Sequence, residues 1–187
     1  MNTTPRKRRP AGQRAAPQTS TLMGAFEMGT GDVNGLREEI EEWKSNLEDN
    51  NMEHLDKFSE LEECLGYLET ADDELQGLEV PDHLQDIEVH FTIDTRLSSS
   101  SRACRLGNAT SPLYVVQAAA ESWVEDNPEL EANTHENEEL EQDDGEEEIT
   151  DTQVDERNEQ IEATKEFIDT LEAQLSELDS VSFPGMY

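Results

Sequence analysis

Three stretches of this chain set apolar residues at helical spacing and fill the positions between them with carboxylates. In the first, Leu36, Ile40, Trp43 and Leu47 recur with Glu38, Glu39, Glu41 and Glu42 beside them. These acids lie near the N-terminal end, where they suit the helix dipole, and Asp49-Asn50-Asn51 then breaks the pattern. The second stretch runs through Met52, Leu55, Phe58, Leu61, Leu65, Leu68 and Leu75. Leu61, Leu68 and Leu75 lie seven apart, a heptad-like seam interrupted by Gly66 and by Asp72, where another apolar residue belongs. The two stretches together read as a helical hairpin. In the third, Val154, Ile161, Ile168 and Leu175 step by seven with Leu171 and Leu178 joining them, which predicts an amphipathic, coiled-coil-like helix over about 155–179.

The charge on these seams limits how they can be covered. Residues 36–49 carry −4, residues 53–79 carry −9 and residues 154–179 carry −7. Laying such helices side by side brings like charges together, at a cost that rises as salt is removed. The whole chain of 187 residues carries −33, yet its first 14 residues carry +5, so the remainder accounts for −38. Cover is therefore expected from a weakly charged helix around 115–124, from the basic N-terminal segment, or from a basic partner. Leu, Ile, Val and Phe number 37 of 187 residues, at the level of about 20 % below which a strongly charged chain is expected to be disordered. A large continuous core is accordingly not expected, and no run approaches the ~18 apolar residues of a membrane-spanning helix.

Residues 1–33 read as a flexible basic arm: they hold Pro5, Pro10 and Pro17, the cluster Arg6, Lys7, Arg8 and Arg9 with Arg14, and few acids. A helical domain over 34–126 follows. Within it, Ile87, Val89, Phe91 and Ile93 alternate with polar residues, predicting a short strand at 87–93. Its mate is left open between residues 181–183, a second copy of the chain and another protein, because one strand cannot satisfy its own backbone groups. Ser111-Pro112 reads as an N-cap and first-turn proline opening the weakly charged helix that stops at Asn127-Pro128; a longer helix from near Ser98, with Pro112 only kinking it, is the alternative. Residues 127–153 read as a self-repelling acidic linker, since 126–148 contains 12 acids and no Lys or Arg. Residues 154–187 complete the chain as an amphipathic helix and an aromatic tail, in which Phe183 and Tyr187 are expected to pack back on that helix. The fold class is mostly α, with one short strand region, a disordered N-terminal arm and an acidic linker.

Motifs for chemistry are weak. Gly29-Thr30-Gly31 with Gly35 departs by one place from a dinucleotide loop and reads as a loop before a helix, and no Gly-Lys-Ser or Gly-Lys-Thr is present. Aligning Gly145 with the invariant glycine of an EF-hand puts Leu140 and Gln142 at ligand positions, so a calcium cage does not form. His54, His83, His90 and His135 are scattered, and neither Cys64 nor Cys104 has a partner at zinc-ligand spacing. Cys64 reads as a small core residue beside Leu61, Leu65 and Leu68. The run ending at Ser101 before Arg102 reads as a solvated loop in preference to a phosphorylation site. Nothing marks a carboxylate pair as buried, so no catalytic, cofactor or metal site is expected.

The chain resembles small acidic, largely helical proteins encoded by bacteriophages. The residues that carry the likeness are 36–91, the Ser-Arg-rich turn into an alanine-rich helix at 101–120, and Ser182-Phe183-Pro184-Gly185-Met186-Tyr187. The likeness implies a non-enzymatic assembly or interaction protein, as phage scaffolding or accessory factors are, in the host cytoplasm or the virion. Self-association or a basic partner would use the seams at Leu61, Leu65, Leu68, Ile161, Ile168, Leu171 and Leu175 and the tail at Phe183 and Tyr187. Arg6, Lys7, Arg8 and Arg9 would make weak nucleic-acid contact or pair with acidic segments. The alternative is a DNA mimic, whose carboxylates occupy a nucleic-acid-binding protein's groove.

Overall fold

A computed structural model describes residues 16–52, 54–94, 101–129 and 151–184. Its elements in order are β1 (Ala16–Thr21), α1 (Leu22–Asp49), α2 (Asp56–Gly77), a short 3-10 turn (Asp82–Leu84), β2 (Glu88–Ile93), α3 (Arg102–Asp126) and α4 (Asp151–Asp179). The protein is mostly helical, with one two-stranded antiparallel sheet among the described residues.

The first helix starts well inside the stretch expected to be a flexible arm. Thr21 is its N-cap: the side-chain hydroxyl accepts the Gly24 N–H at 3.1 Å, and Leu22, Ala25, Phe26, Gly29 and Val33 are buried. Glycine and threonine hide this half of α1 from pattern reading, because their helix propensity is poor and tertiary contact overrides it. Gly29 shows why a small residue is needed. A Cβ there would come within 2.7 Å of two Leu113 side-chain atoms and 2.9 Å of the Ala109 carbonyl on α3. The Gly29–Gly35 segment therefore belongs to a helix interior and not to a loop. At the other end the Asp49-Asn50-Asn51 break holds. Asn51 takes a left-handed φ of 52°, which asparagine tolerates, and the N–H groups of Asn51 and Met52 donate to the Glu48 and Leu47 carbonyls, each at 2.9 Å.

The strand's mate is none of the three considered above. It is β1, paired antiparallel with Gln18 opposite Phe91 and Thr21 opposite Glu88, from within the supposed arm. Val89 and Phe91 are buried on the inner face while Glu88, His90 and Thr92 face out, as the alternation requires. The sheet lies on α3, where the Ser111 hydroxyl donates to the Thr92 carbonyl at 3.1 Å. Ser111 is thus not an N-cap. Ser101 is: its hydroxyl accepts the Cys104 N–H at 3.3 Å, and Pro112 sits inside α3. The longer helix weighed as the alternative is the one formed.

In the four-helix arrangement α1 and α4 each pack against both α2 and α3. Across the centre, the Phe26 and Phe167 rings meet with centroids 5.9 Å apart. Leu61, Leu65, Leu68 and Leu75 of α2, Leu113 and Val116 of α3, and Leu171, Leu175 and Leu178 of α4 all join one core, and Ile161 is buried further along α4. A continuous core therefore forms where composition argued against one. Ala25, Ala71, Ala109, Ala120 and Cys64 are part of it, and a count of large aliphatics leaves them out.

Gly29→Ala is expected to overpack the α1–α3 contact and lower stability by about 1–3 kcal/mol. Gly31→Ala has nothing within 4 Å of the new Cβ and should be neutral or stabilising by up to about 1 kcal/mol. Chemical denaturation of the two variants beside the parent chain checks the contrast.

Candidate functional site

Asp72 breaks the α2 seam in the sequence, and the structure buries it to 1 % exposure in that seam. It is the sole buried carboxylate among the described residues. Its Oδ2 accepts from Arg37 Nε at 2.7 Å and from Asn34 Nδ2 at 2.8 Å, and its Oδ1 accepts from Gln76 Nε2 at 2.8 Å. Three donors, one charged, use the oxygens on both sides, so Asp72 clamps α1 to α2 and is poorly placed to accept a substrate proton. Burial pulls the Arg37 pKa down, but Asp72 with Glu41 and Glu38 outweighs it and raises the value.

A second clamp joins α1 to α3. Glu39 accepts from Arg102 Nε at 2.8 Å and from Arg105. The Arg102 guanidinium also lies 4.3 Å from the Trp43 ring centroid, a cation–π contact. Burial pushes the Glu39 carboxyl up, but Arg105 and Arg102 together hold it below the usual carboxylate value. Lys44 reaches Glu62 of α2 at 3.3 Å and lies 5.5 Å from the Phe58 ring centroid. The cations at these positions thus face helix–helix junctions.

The 3-10 turn is tied to α4 by His83. The fully buried Thr164 hydroxyl donates to the Gln160 carbonyl at 2.8 Å, which leaves its lone pair to accept from His83 Nε2, also at 2.8 Å. The imidazole also lies against Trp123 of α3, with centroids 4.3 Å apart. Burial lowers the His83 pKa, with Asp82 opposing. Cys64 is buried and its thiol is pushed up to about 11 by burial, against a smaller pull from Arg102, so it behaves as core and not as a nucleophile.

The outer faces are acidic. On α4, Asp155, Glu159, Glu162, Glu166 and Asp169 are all exposed and follow one another at helical spacing opposite the buried seam. They form a stripe about 21 Å long at ~1.5 Å per residue. On α2, Glu69 and Asp73 are exposed one turn apart. A cleft of about 560 Å³ opens between the first half of α1 and the chain leaving α2. Met23, Phe26, Leu75, Leu78 and Val80 give it an apolar floor, and Glu27, Glu79 and Asp82 are exposed around it. Thr30 also lines it and has a buried hydroxyl without a hydrogen-bond partner. A smaller pocket of about 290 Å³ lies between Cys64 and Tyr67 of α2 and Phe183 and Pro184.

Of the residues expected to meet a partner, Leu61, Leu65, Leu68, Ile161, Leu171 and Leu175 are buried within the single chain, and Ile168 and Phe183 are half-buried against its core. They are therefore not an open docking surface. In α4, Phe167 takes the fully inward position beside Ile168. Arg6, Lys7, Arg8, Arg9 and Tyr187 lie outside the described residues, as do Asp143-Asp144-Gly145 and Ser98. Pattern reading does not find the cleft, because its lining residues Met23, Phe26, Glu27 and Thr30 fall in the stretch that reads as an arm. Among the described residues no group of three metal-ligating side chains converges, and no helix is long and apolar enough to cross a membrane. No protein-family model, curated protein or solved structure matches the chain.

Arg37→Met strands the Asp72 carboxylate in the core and is expected to cost about 3–5 kcal/mol, whereas Arg37→Met with Asp72→Leu recovers most of the loss. Denaturant midpoints of the two variants decide between a charge clamp and a dispensable contact. For His83, the folded ring binds its proton less readily than the unfolded one. Its contribution is therefore complete above about pH 6.5 and is lost as the pH falls toward the lowered folded value. The thermal midpoint should drop more between pH 7.5 and pH 5.5 in the parent chain than in His83→Gln, and equal slopes would remove His83 as the cause.

Proposed function

We propose that this is a non-enzymatic interaction protein that presents an ordered acidic surface to a basic protein partner, an accessory role of the kind its phage-like sequence implies. The observation that carries the reading is the exposed α4 stripe, Asp155 through Asp169, on a helix whose other face is anchored in the core. Two further features support it. The apolar seams cover one another inside one chain, which leaves charge as the main currency of the outer faces. Arg37, Lys44, Arg102 and Arg105 are turned toward Asp72, Glu62 and Glu39, so they do little to neutralise α4.

The spacing of the stripe also favours the more specific form, a DNA mimic. Five carboxylates over about 21 Å give roughly one charge per 5 Å of helix axis, against about 3.4 Å along one DNA strand. The rigid helix supplies the ordered charge that such a mimic needs. A cytoplasmic or virion setting goes with either form.

The triple variant Glu159→Gln/Glu162→Gln/Glu166→Gln should bind an arginine-rich helical peptide about tenfold more weakly, since three exposed pairs at about 0.5 kcal/mol each make up that ratio. A control carrying Glu42→Gln, Asp86→Asn and Glu125→Gln removes the same charge from other faces and should bind within about twofold of the parent, as each changed site lies off the stripe. Isothermal titration at two salt concentrations reads both; equal weakening in the two variants would mean diffuse attraction and no defined surface. A basic helix-turn-helix domain in place of the peptide, with duplex DNA as competitor, separates the mimic from a general acidic partner.

A further inference from the structure

We propose that the cleft beside α1 is the docking site of the chain's own basic segment, Arg6-Lys7-Arg8-Arg9. This concerns a different surface from the α4 stripe, so either idea can fail alone. The cleft combines features suited to arginine and lysine. Its floor of Met23, Phe26, Leu78 and Val80 can take the aliphatic stems, and Glu27, Glu79 and Asp82 can take the charged heads. No Lys or Arg is among its lining residues. The partnerless Thr30 hydroxyl offers an acceptor for a guanidinium N–H.

Reach supports the same occupant. The Leu22 and Met23 N–H groups donate to the Ile87 and Gln85 carbonyls at 2.7 and 3.2 Å, so β1 leads directly to the edge of the cleft. From Ala16 back to Thr21 is about 17 Å of strand. Residues 6–9 lie seven to ten positions before Ala16, which spans up to about 23–36 Å when extended, enough to double back to Met23 and beyond. A tether of that length holds the cations near the site at an effective concentration of order millimolar, well above that of a free partner at micromolar levels.

Lys7 makes the idea testable by zero-length carbodiimide cross-linking of the full chain at low concentration, read by mass spectrometry. The expected products join Lys7 to Glu27, Glu79 or Asp82 within one molecule. Arg6→Gln/Arg8→Gln/Arg9→Gln keeps the reporter lysine and should cut their yield about fivefold, or ~1 kcal/mol. Met23→Ala/Leu78→Ala keeps every carboxylate but removes part of the floor, and should also cut the yield; circular dichroism confirms that it stays folded. Three results would overturn the proposal: Lys7 products spread over the α2 and α4 carboxylates, products found only between light and heavy isotope-labelled copies, or yields unchanged in both variants. The spread pattern would mean that the arm is held by diffuse attraction, and it would leave the α4 stripe reading to its own titration, which uses a separate partner.

Discussion

Four helices, three of them strongly acidic, can share one core only if their carboxylates stay clear of the seams or, as Asp72 does, are paired within them, and the few cations show how this is met. α3 is the least charged helix, and it lies against both α1 and α4. Its Arg102 and Arg105 reach Glu39, while Arg37 and Lys44 of α1 reach Asp72 and Glu62 of α2. Each of these contacts sits at a junction where two helices meet. Where α2 meets α4, the apolar seam carries the contact.

Periodic apolar residues made several elements legible. The α1–α2 turn at residues 49–51, the outward and inward alternation of β2, and the α4 helix follow from local pattern, because each is set by spacing along the chain. The first half of α1 and all of β1 do not. They are built from glycine, threonine and proline, and what fixes them lies far away in sequence: Leu113 and Ala109 opposite Gly29, and Phe91 opposite Gln18. The Ser111-Pro112 signal failed for a related reason. A serine before proline is a sound local start, but the hydroxyl has a partner in Thr92 on the sheet, and the true cap lies ten residues earlier at Ser101.

The functional surfaces divide the same way. Asp72 was visible as a flaw in the seam, although the three donors that explain it come from α1 and the next turn of α2 and could not be seen from the α2 pattern alone. The apolar seams were also visible, and the weakly charged α3, expected among their covers, does pack against α1 and α4; the α2–α4 contact was not visible, because the net charge of a helix does not say which face carries it. Once the acids are resolved by face, the seams close on one another and the repulsion is displaced to solvent. The cleft had no local signature at all, since it joins residues 23–30 to residues 75–85.

This division of faces links stability to binding. In an unfolded chain the α4 carboxylates can move apart and relax their repulsion; held at fixed helical positions they cannot, so folding works against them. A cationic partner that meets the ordered stripe relieves that repulsion in the folded state and gains less from the unfolded chain, where the charges are already diluted. By linkage the partner must then favour the folded form, to an extent set by its concentration relative to its affinity. The same acids that make the fold costly at low salt are thus the ones through which a basic ligand can support it, and their arrangement on one rigid face, more than their number, distinguishes this surface from a merely acidic chain.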